Sequence, residues 1–273
     1  MILFVIFSIF EDIEVGARAE AMGRAYTALS NDASGVFFNP GGLSLALRNE
    51  VSFYYKNLWG GVEGLHTASF SSLLSTRLGT FGFGITETGF SLEREVVALI
   101  AFSKKIIKYL YPGYSFKLYY LSMERFGSDF SFGVDVGIVA RGYKNFRLGV
   151  LIKNLIKPSF GKNFKYSLPF TLKAGLAYSG FPGLISSVDF SKEEGKDTKF
   201  SVGEEFEIIP QRFHILFGGS SSPLNLCFGL KVSSELFSIC YGNSYNSEIG
   251  FTHFVSISCL WGKRRYVPPF EIE

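Results

Sequence analysis

The chain has 273 residues, with 27 Lys and Arg against 24 Asp and Glu, and this formal charge of +3 is too near neutral to mark a nucleic-acid binder. Thirty Phe, 14 Tyr and 30 Gly beside 9 Pro and 2 Trp favour strands, because aromatic side chains suit pleated surfaces and glycine supplies turns and close approaches. The longest apolar run, Val96 to Phe102, falls far short of the ~18 residues that a membrane helix needs, which excludes a bundle of transmembrane helices.

Residues 2–10, ILFVIFSIF, have the length of the apolar centre of a secretory signal, although no Lys or Arg precedes them and no clear A-x-A cleavage site follows. Residues 1–10 are therefore read as a signal peptide, and residues 11–48 as a separate segment. Within it, Ala17, Ala19, Ala21, Ala25 and Ala28 favour helix and carry little bulk, while Gly23 permits close approach or a bend. Asn39-Pro40 followed by Gly41 and Gly42 forces a turn.

From Asn49 onward, alternating segments of roughly ten residues are each closed by Gly, Asn, Asp, Ser or Pro. The expected strands are 49–58, 65–74, 76–87, 94–104, 113–125, 129–141, 145–155, 168–179, 183–191, 198–209, 211–220, 223–232, 235–243 and 248–261. In DFSFGVDVGIVAR, Phe130, Phe132, Val134, Val136 and Ile138 share one face, and Asp129, Ser131, Gly133, Asp135 and Arg141 share the other. In LPFTLKAGLAYS, Leu168, Phe170, Leu172, Ala174, Leu176 and Tyr178 oppose Thr171, Lys173, Gly175 and Ser179.

A soluble sandwich would alternate in the same way with its apolar face inward. Strand length separates the two, since soluble strands average ~5–6 residues and a tilted membrane crossing needs ~9–11. The expected fold is all-β: a 14-stranded antiparallel transmembrane β-barrel over residues 49–261, residues 11–48 forming a hatch inside its lumen, and a tail over 262–273. Tyr54, Tyr55, Trp59, Tyr109, Tyr111, Tyr143, Tyr166, Tyr178 and Trp261 lie near turns, as girdle aromatics would.

The luminal face carries charges of both signs: Lys56, Asp135, Arg147, Lys153, Lys173, Asp189, Glu205, Glu207 and Lys231. An ion-selective ring would show one dominant sign, so a network satisfying itself and the hatch is expected. Gly82 and Gly84 fall on the luminal face of the third strand, where they admit the plug or a kink that opens the wall sideways.

A two-residue turn at Ser233-Ser234 would set Cys227 directly opposite Cys240 as a cross-strand thiol pair, with Cys259 facing lipid. His66, His214 and His253 lie in three separate strands without metal-ligand spacing, and His253 points outward where Ser256 and Ser258 point inward. No enzyme and no cofactor are expected.

The stretch GARAEAMGRAYTALSNDASGVFFNPGGLSLAL resembles the N-terminal signature of the PorV/PorQ family, within the wider group of FadL-like outer-membrane proteins. Gly16, Ala17, Arg18, Met22, Gly23, Ala25, Tyr26, Ala28, Asp32, Ala33, Ser34, Asn39, Pro40, Gly42 and Leu43 carry it, and Gly41 stands where the family more often has Ala. The resemblance implies a hatch entering the barrel from the periplasmic side, in the outer membrane of a Gram-negative type cell. It also implies a part in type IX secretion, with exported cargo or other secretion components as partners. The alternatives are FadL-like uptake of hydrophobic small molecules such as fatty acids, and a structural or adhesive surface barrel with no transport role; membrane lipid is a partner in every case.

Overall fold

The computed structural model describes residues 10, 13–57, 64–90, 92–142, 145–161, 165–247 and 250–264. The expected signal peptide, apart from Phe10, lies outside the described residues, as do Trp59, Tyr143 and the tail beyond Arg264.

Alternation builds the wall. β1 (Asn49–Asn57), β2 (His66–Ser75), β3 (Thr80–Phe90), β4 (Glu93–Ser103), β5 (Leu110–Met123), β6 (Gly127–Arg141) and β7 (Phe146–Lys153) form its first half. After a short hairpin of β8 (Ser159–Phe160) and β9 (Tyr166–Ser167), it continues through β10 (Thr171–Tyr178), β11 (Leu184–Glu193), β12 (Lys199–Ile209), β13 (Phe213–Ser220), β14 (Asn225–Ser233), β15 (Phe237–Asn246) and β16 (Gly250–Trp261). β7 pairs directly with β10, and β16 pairs back onto β1 with Trp261 opposite Asn49, so that fourteen strands close as one antiparallel barrel. Closure removes every sheet edge, the condition for strands to cross hydrocarbon.

The two faces of the wall have opposite chemistry. Outside, Phe53 is 59% exposed, Phe132 66% and Ile257 52%. Rings on neighbouring strands stack in rows, with Phe53, Phe70 and Phe83 at centroid separations of 5.0 and 6.2 Å and Phe206, Phe217 and Phe228 at 6.1 and 5.3 Å. Inside, Ser52, Ser71, Lys117, Ser131, Asp135, Ser187 and Asp189 are buried. Leaving a large apolar side chain in water forfeits about 1.5–3 kcal/mol, so an exterior of such rows is a lipid-facing surface. Tyr55, His66, Tyr241 and His253 form an outward-facing cluster near one rim, where the Tyr241 hydroxyl and His253 Nδ1 are 2.8 Å apart and the Tyr55 and His66 rings stack.

The chain enters β1 and leaves β16 at one rim, here the entry rim. The opposite, far rim bears the two longest connections, 58–65 and 154–170. Short turns mark the periplasmic side of such barrels and longer loops the outer side, which places the entry rim inward.

Two expectations are corrected. Leu168, assigned to a lipid-facing strand, is only 3% exposed and sits inside the barrel, because β10 begins at Thr171 and the preceding residues turn inward with the β8–β9 hairpin. Cys227 and Cys240 are not opposite one another: Cys227 faces Ser244 and Cys240 faces Lys231. The turn is centred two residues further along, at Glu235-Leu236, where Ser234 donates its N–H to the Phe237 carbonyl at 2.7 Å, and this slides the register by four positions. All three cysteines are free. Alkylation of the unfolded protein without reductant is expected to label three thiols per chain; labelling of one would restore the rejected pairing.

Candidate functional site

The hatch runs the length of the lumen. Phe10 donates its N–H to Glu95 Oε1 at 2.9 Å near the far rim, and the segment descends to Arg48 beside the first residue of β1 at the entry rim. Its regular structure is brief: α1 (Ala17–Ala21), α2 (Gly35–Phe38) and a 3-10 helix (Pro40–Leu45). The alanines predict a longer helix, but Gly23 and Arg24 adopt φ of 63° and 65°, a left-handed pair that ends α1. Ala25 and Ala28, which are fully buried, serve by being small.

Glycines on the wall receive this backbone. A Cβ on Gly218 of β13 would lie 2.1 Å from the Gly23 nitrogen, one on Gly149 of β7 2.4 Å from the Thr27 oxygen, and one on Gly137 of β6 2.0 Å from Asn39 Oδ1. Gly113 meets Pro40 in the same way, and Gly203 meets Met22. The motif's own glycines close the hatch on itself: a Cβ on Gly16 would strike Ser34, and one on Gly42 would strike Ser30. Gly41 presses on the Tyr111 carbonyl of β5.

Gly82 and Gly84 belong to this set. Both lie on the luminal face of β3 as read from the sequence, and their space is filled by Val36 and Phe37 of α2. Across both residues β3 keeps an unshifted pairing with β2 and with β4, so the ladder carries no bulge there.

Polar anchors fix the hatch laterally. Arg18 donates from Nε to Glu205 Oε2 at 2.8 Å and from Nη1 to the Tyr26 hydroxyl at 2.7 Å and Asn31 Oδ1 at 3.0 Å, and it pairs with Asp32 at 3.4 Å. Tyr26 in turn donates its hydroxyl to Asp32, which also accepts from the Ser34 hydroxyl at 2.6 Å and the Gly35 N–H at 3.2 Å. Asp189 of β11 accepts the N–H groups of Tyr26 and Thr27 at 3.0 and 2.8 Å. Asn39 donates to the Thr27 carbonyl at 2.8 Å and accepts the Gly41 N–H at 3.0 Å, which secures the turn opened by Pro40.

Four ion-paired groups complete the lumen. Glu14 binds Lys153 at 2.9 Å and Lys173 at 2.5 Å; Glu20 binds Lys56 at 3.3 Å and accepts the Tyr54 hydroxyl at 2.6 Å. Lys117 pairs with Asp135, and Glu205 gathers His214 at 3.1 Å and Lys231 at 3.3 Å beside Arg18. Sequence reading placed the wall charges on the right face but missed Glu14, Glu20, Lys117 and His214. Parity along β5 and β13 would have found the last two. The described residues hold no group of His, Cys, Asp or Glu arranged for a metal ion.

Two spaces flank the hatch. At the entry rim a cavity of about 670 Å³ is lined by Arg18, Glu50, Arg147, Glu205, His214 and Lys231 among mostly polar residues. Toward the far rim lies an apolar cluster of Phe10, Ile13, Val97, Tyr119, Leu121, Phe160 and Leu168. There Phe10 stacks on Phe160 at 5.2 Å and meets Tyr119 edge-on at 5.0 Å.

The wall is lowest beside that cluster. β7 and β10 have 8 residues each against 14 and 15 in β5 and β6, so β6 pairs with β7 only from Val136 to Arg141. Residues 154–161 cover the gap: Leu155 donates its N–H to the Val134 carbonyl at 2.9 Å, Ser159 donates its N–H to Ser131 Oγ at 2.8 Å, and Asn154 bridges Asp135, Tyr119 and the Pro169 carbonyl. Leu155 and Ile156 are exposed on the outside.

A family model described as F plasmid transfer operon, TraF, protein matches residues 7–211. No curated protein matches the chain. Among solved structures, the Pseudomonas putida toluene transporter TodX aligns with a TM-score of 0.71 at 15% identity, over 93% of this chain and 100% of that one. The Ralstonia pickettii toluene transporter TbuX gives 0.64 at 13%, over 93% and 100%, and a Pseudomonas aeruginosa FadL homologue 0.62 at 10%, over 91% and 99%.

These findings correct the PorV/PorQ assignment. The matching model spans the whole hatch motif and is a different family, and the solved structures share the FadL-like fold without pointing to type IX secretion. The motif misleads because its residues answer to barrel geometry: Gly23, Tyr26, Asp32 and Asn39 seat a hatch, whatever the barrel then carries.

Two variants test the anchoring. Arg18→Ala leaves Glu205 buried with only Lys231 and His214, and a loss of about 3–5 kcal/mol of unfolding free energy is expected, read as a lowered unfolding midpoint, with Arg18→Lys recovering part of it; an unchanged midpoint in the alanine variant would contradict the role given to the pair. Gly218→Val puts side-chain atoms where the Gly23 backbone lies, and is expected to cost about 3 kcal/mol or more, read from loss of the compact, heat-modifiable band on electrophoresis.

Proposed function

The chain belongs to the family described as F plasmid transfer operon, TraF, protein, and we propose that it is an outer-membrane barrel that admits small hydrophobic molecules from outside and releases them sideways through its wall. It does no chemistry on them. The observation that carries this reading is the lowered wall at β7 and β10, set beside an apolar luminal cluster and above a hatch that fills the axis. A molecule that reaches Phe10, Tyr119 and Phe160 meets the hatch below it and lipid to one side.

Solute chemistry follows from the lining. The cluster offers aromatic and aliphatic faces, and the Lys117 and Asp135 charges beneath it satisfy one another, so a compact neutral hydrocarbon suits it better than an ion. The proteins named as toluene transporters share the fold over nearly their full length, which supports a monoaromatic solute. The covering residues 154–161 have to yield for a molecule to leave, and they are held to β6 by a handful of hydrogen bonds rather than by a strand ladder.

A disulfide tests this directly. In a background with Cys227, Cys240 and Cys259 replaced by Ser, Ser131→Cys with Ser159→Cys pins the hairpin to β6. Oxidised protein in lipid vesicles is expected to pass labelled toluene at a small fraction of the reduced rate. Equal rates in the two states would rule out this exit.

A further inference from the structure

We infer that the cavity at the entry rim holds a binding site for a small organic carboxylate, anchored by Arg147 with Arg141 beside it. β6 and β7 set these two residues directly opposite one another on the luminal face. Like charges in facing positions destabilise a sheet unless something neutralises them. Among the described residues no carboxylate pairs with either.

The other cations of the cavity are taken. Arg18 is held by Glu205 and Asp32, Lys231 by Glu205, Arg264 by the Gln211 side chain and Arg48 by the Glu235 carbonyl. The acids are accounted for as well: besides Glu205 and Asp32, Glu50 accepts the Ala33 N–H at 3.2 Å and Glu207 accepts the Gln211 N–H. Among the described residues Arg147, unlike Arg18 and Lys231, has no carboxylate partner, and it lies where the cavity narrows into a recess.

The shape there suits one class of ligand. A recess of about 30 Å³ opens between Arg18, Asn31, Asn145, Arg147 and Ser179, with Leu29, Ala177 and Ile185 as its apolar side. A guanidinium presents two parallel N–H groups that match the two oxygens of a carboxylate. The recess takes a small flat head group, and the adjoining cavity of about 670 Å³ leaves room for an apolar body. Asn31, whose Oδ1 accepts from Arg18, also lines the recess.

This site does not rest on the hydrocarbon reading, because it lies on the opposite side of the hatch from the apolar cluster. Calorimetric titration of the solubilised full chain with sodium benzoate is expected to show binding that weakens at least tenfold in Arg147→Gln and several-fold in Arg147→Lys, which keeps the charge but loses the planar fork. Equimolar inorganic phosphate should not displace benzoate. The inference is overturned if wild type does not bind benzoate, if either folded variant binds it as wild type does, or if phosphate competes equally. Heat-modifiable migration establishes that each variant is folded, and toluene passage in Arg147→Gln should match wild type, so failure here leaves the lateral route standing and the reverse.

Discussion

A closed wall of fourteen strands encloses more space than its own side chains can fill, and the rest of this structure follows from what fills it. The filler is the chain's own N-terminal segment, and it touches the wall through backbone. Contact that close is available only where the wall has no Cβ, which accounts for glycines on luminal positions of β5, β6, β7, β12 and β13. A loose plug would need none of them. The fit also carries buried charge inward, and three hatch charges, Glu14, Arg18 and Glu20, arrive opposite wall partners of the other sign.

The same constraint divides the lumen into two compartments of different chemistry. On the far side, aromatic and aliphatic groups gather under an inturned hairpin; on the entry side, a polar cavity faces the periplasmic rim. With the axis occupied, the variable left to the protein is wall height. Shortening β7 and β10 to 8 residues opens a gap that residues 154–161 cover with side chains and a few hydrogen bonds. A closed ladder would resist opening at every residue, whereas this cover resists at a few points.

Much of this was legible in the sequence because side chains alternate strictly along a strand. Phe130, Phe132 and Ile138 outward with Asp135 inward required only counting, as did the luminal positions of Gly82 and Gly84. What parity does not encode is where a turn is centred. The stretch VSSELFS reads equally as a hairpin turning at Ser233-Ser234 or at Glu235-Leu236, and the two differ in whether Cys240 faces Cys227 or Lys231. Alanine content misjudged α1 because left-handed Gly23 and Arg24 answer to tertiary contact with β13 rather than to propensity. The family signature misled for a related reason: residues that seat a hatch report the socket, and the socket is shared among barrels that carry different things.

The central claim is that the hatch stays seated while solute leaves through the wall. Ala17 donates its N–H to Ser256 Oγ at 3.0 Å, so Ala17→Cys with Ser256→Cys, in a background lacking the three native cysteines, would tie α1 to β16. Toluene passage into lipid vesicles should be the same in the oxidised and reduced states of this protein. Passage that stops on oxidation and returns on reduction would show that the hatch has to move, and would contradict the account.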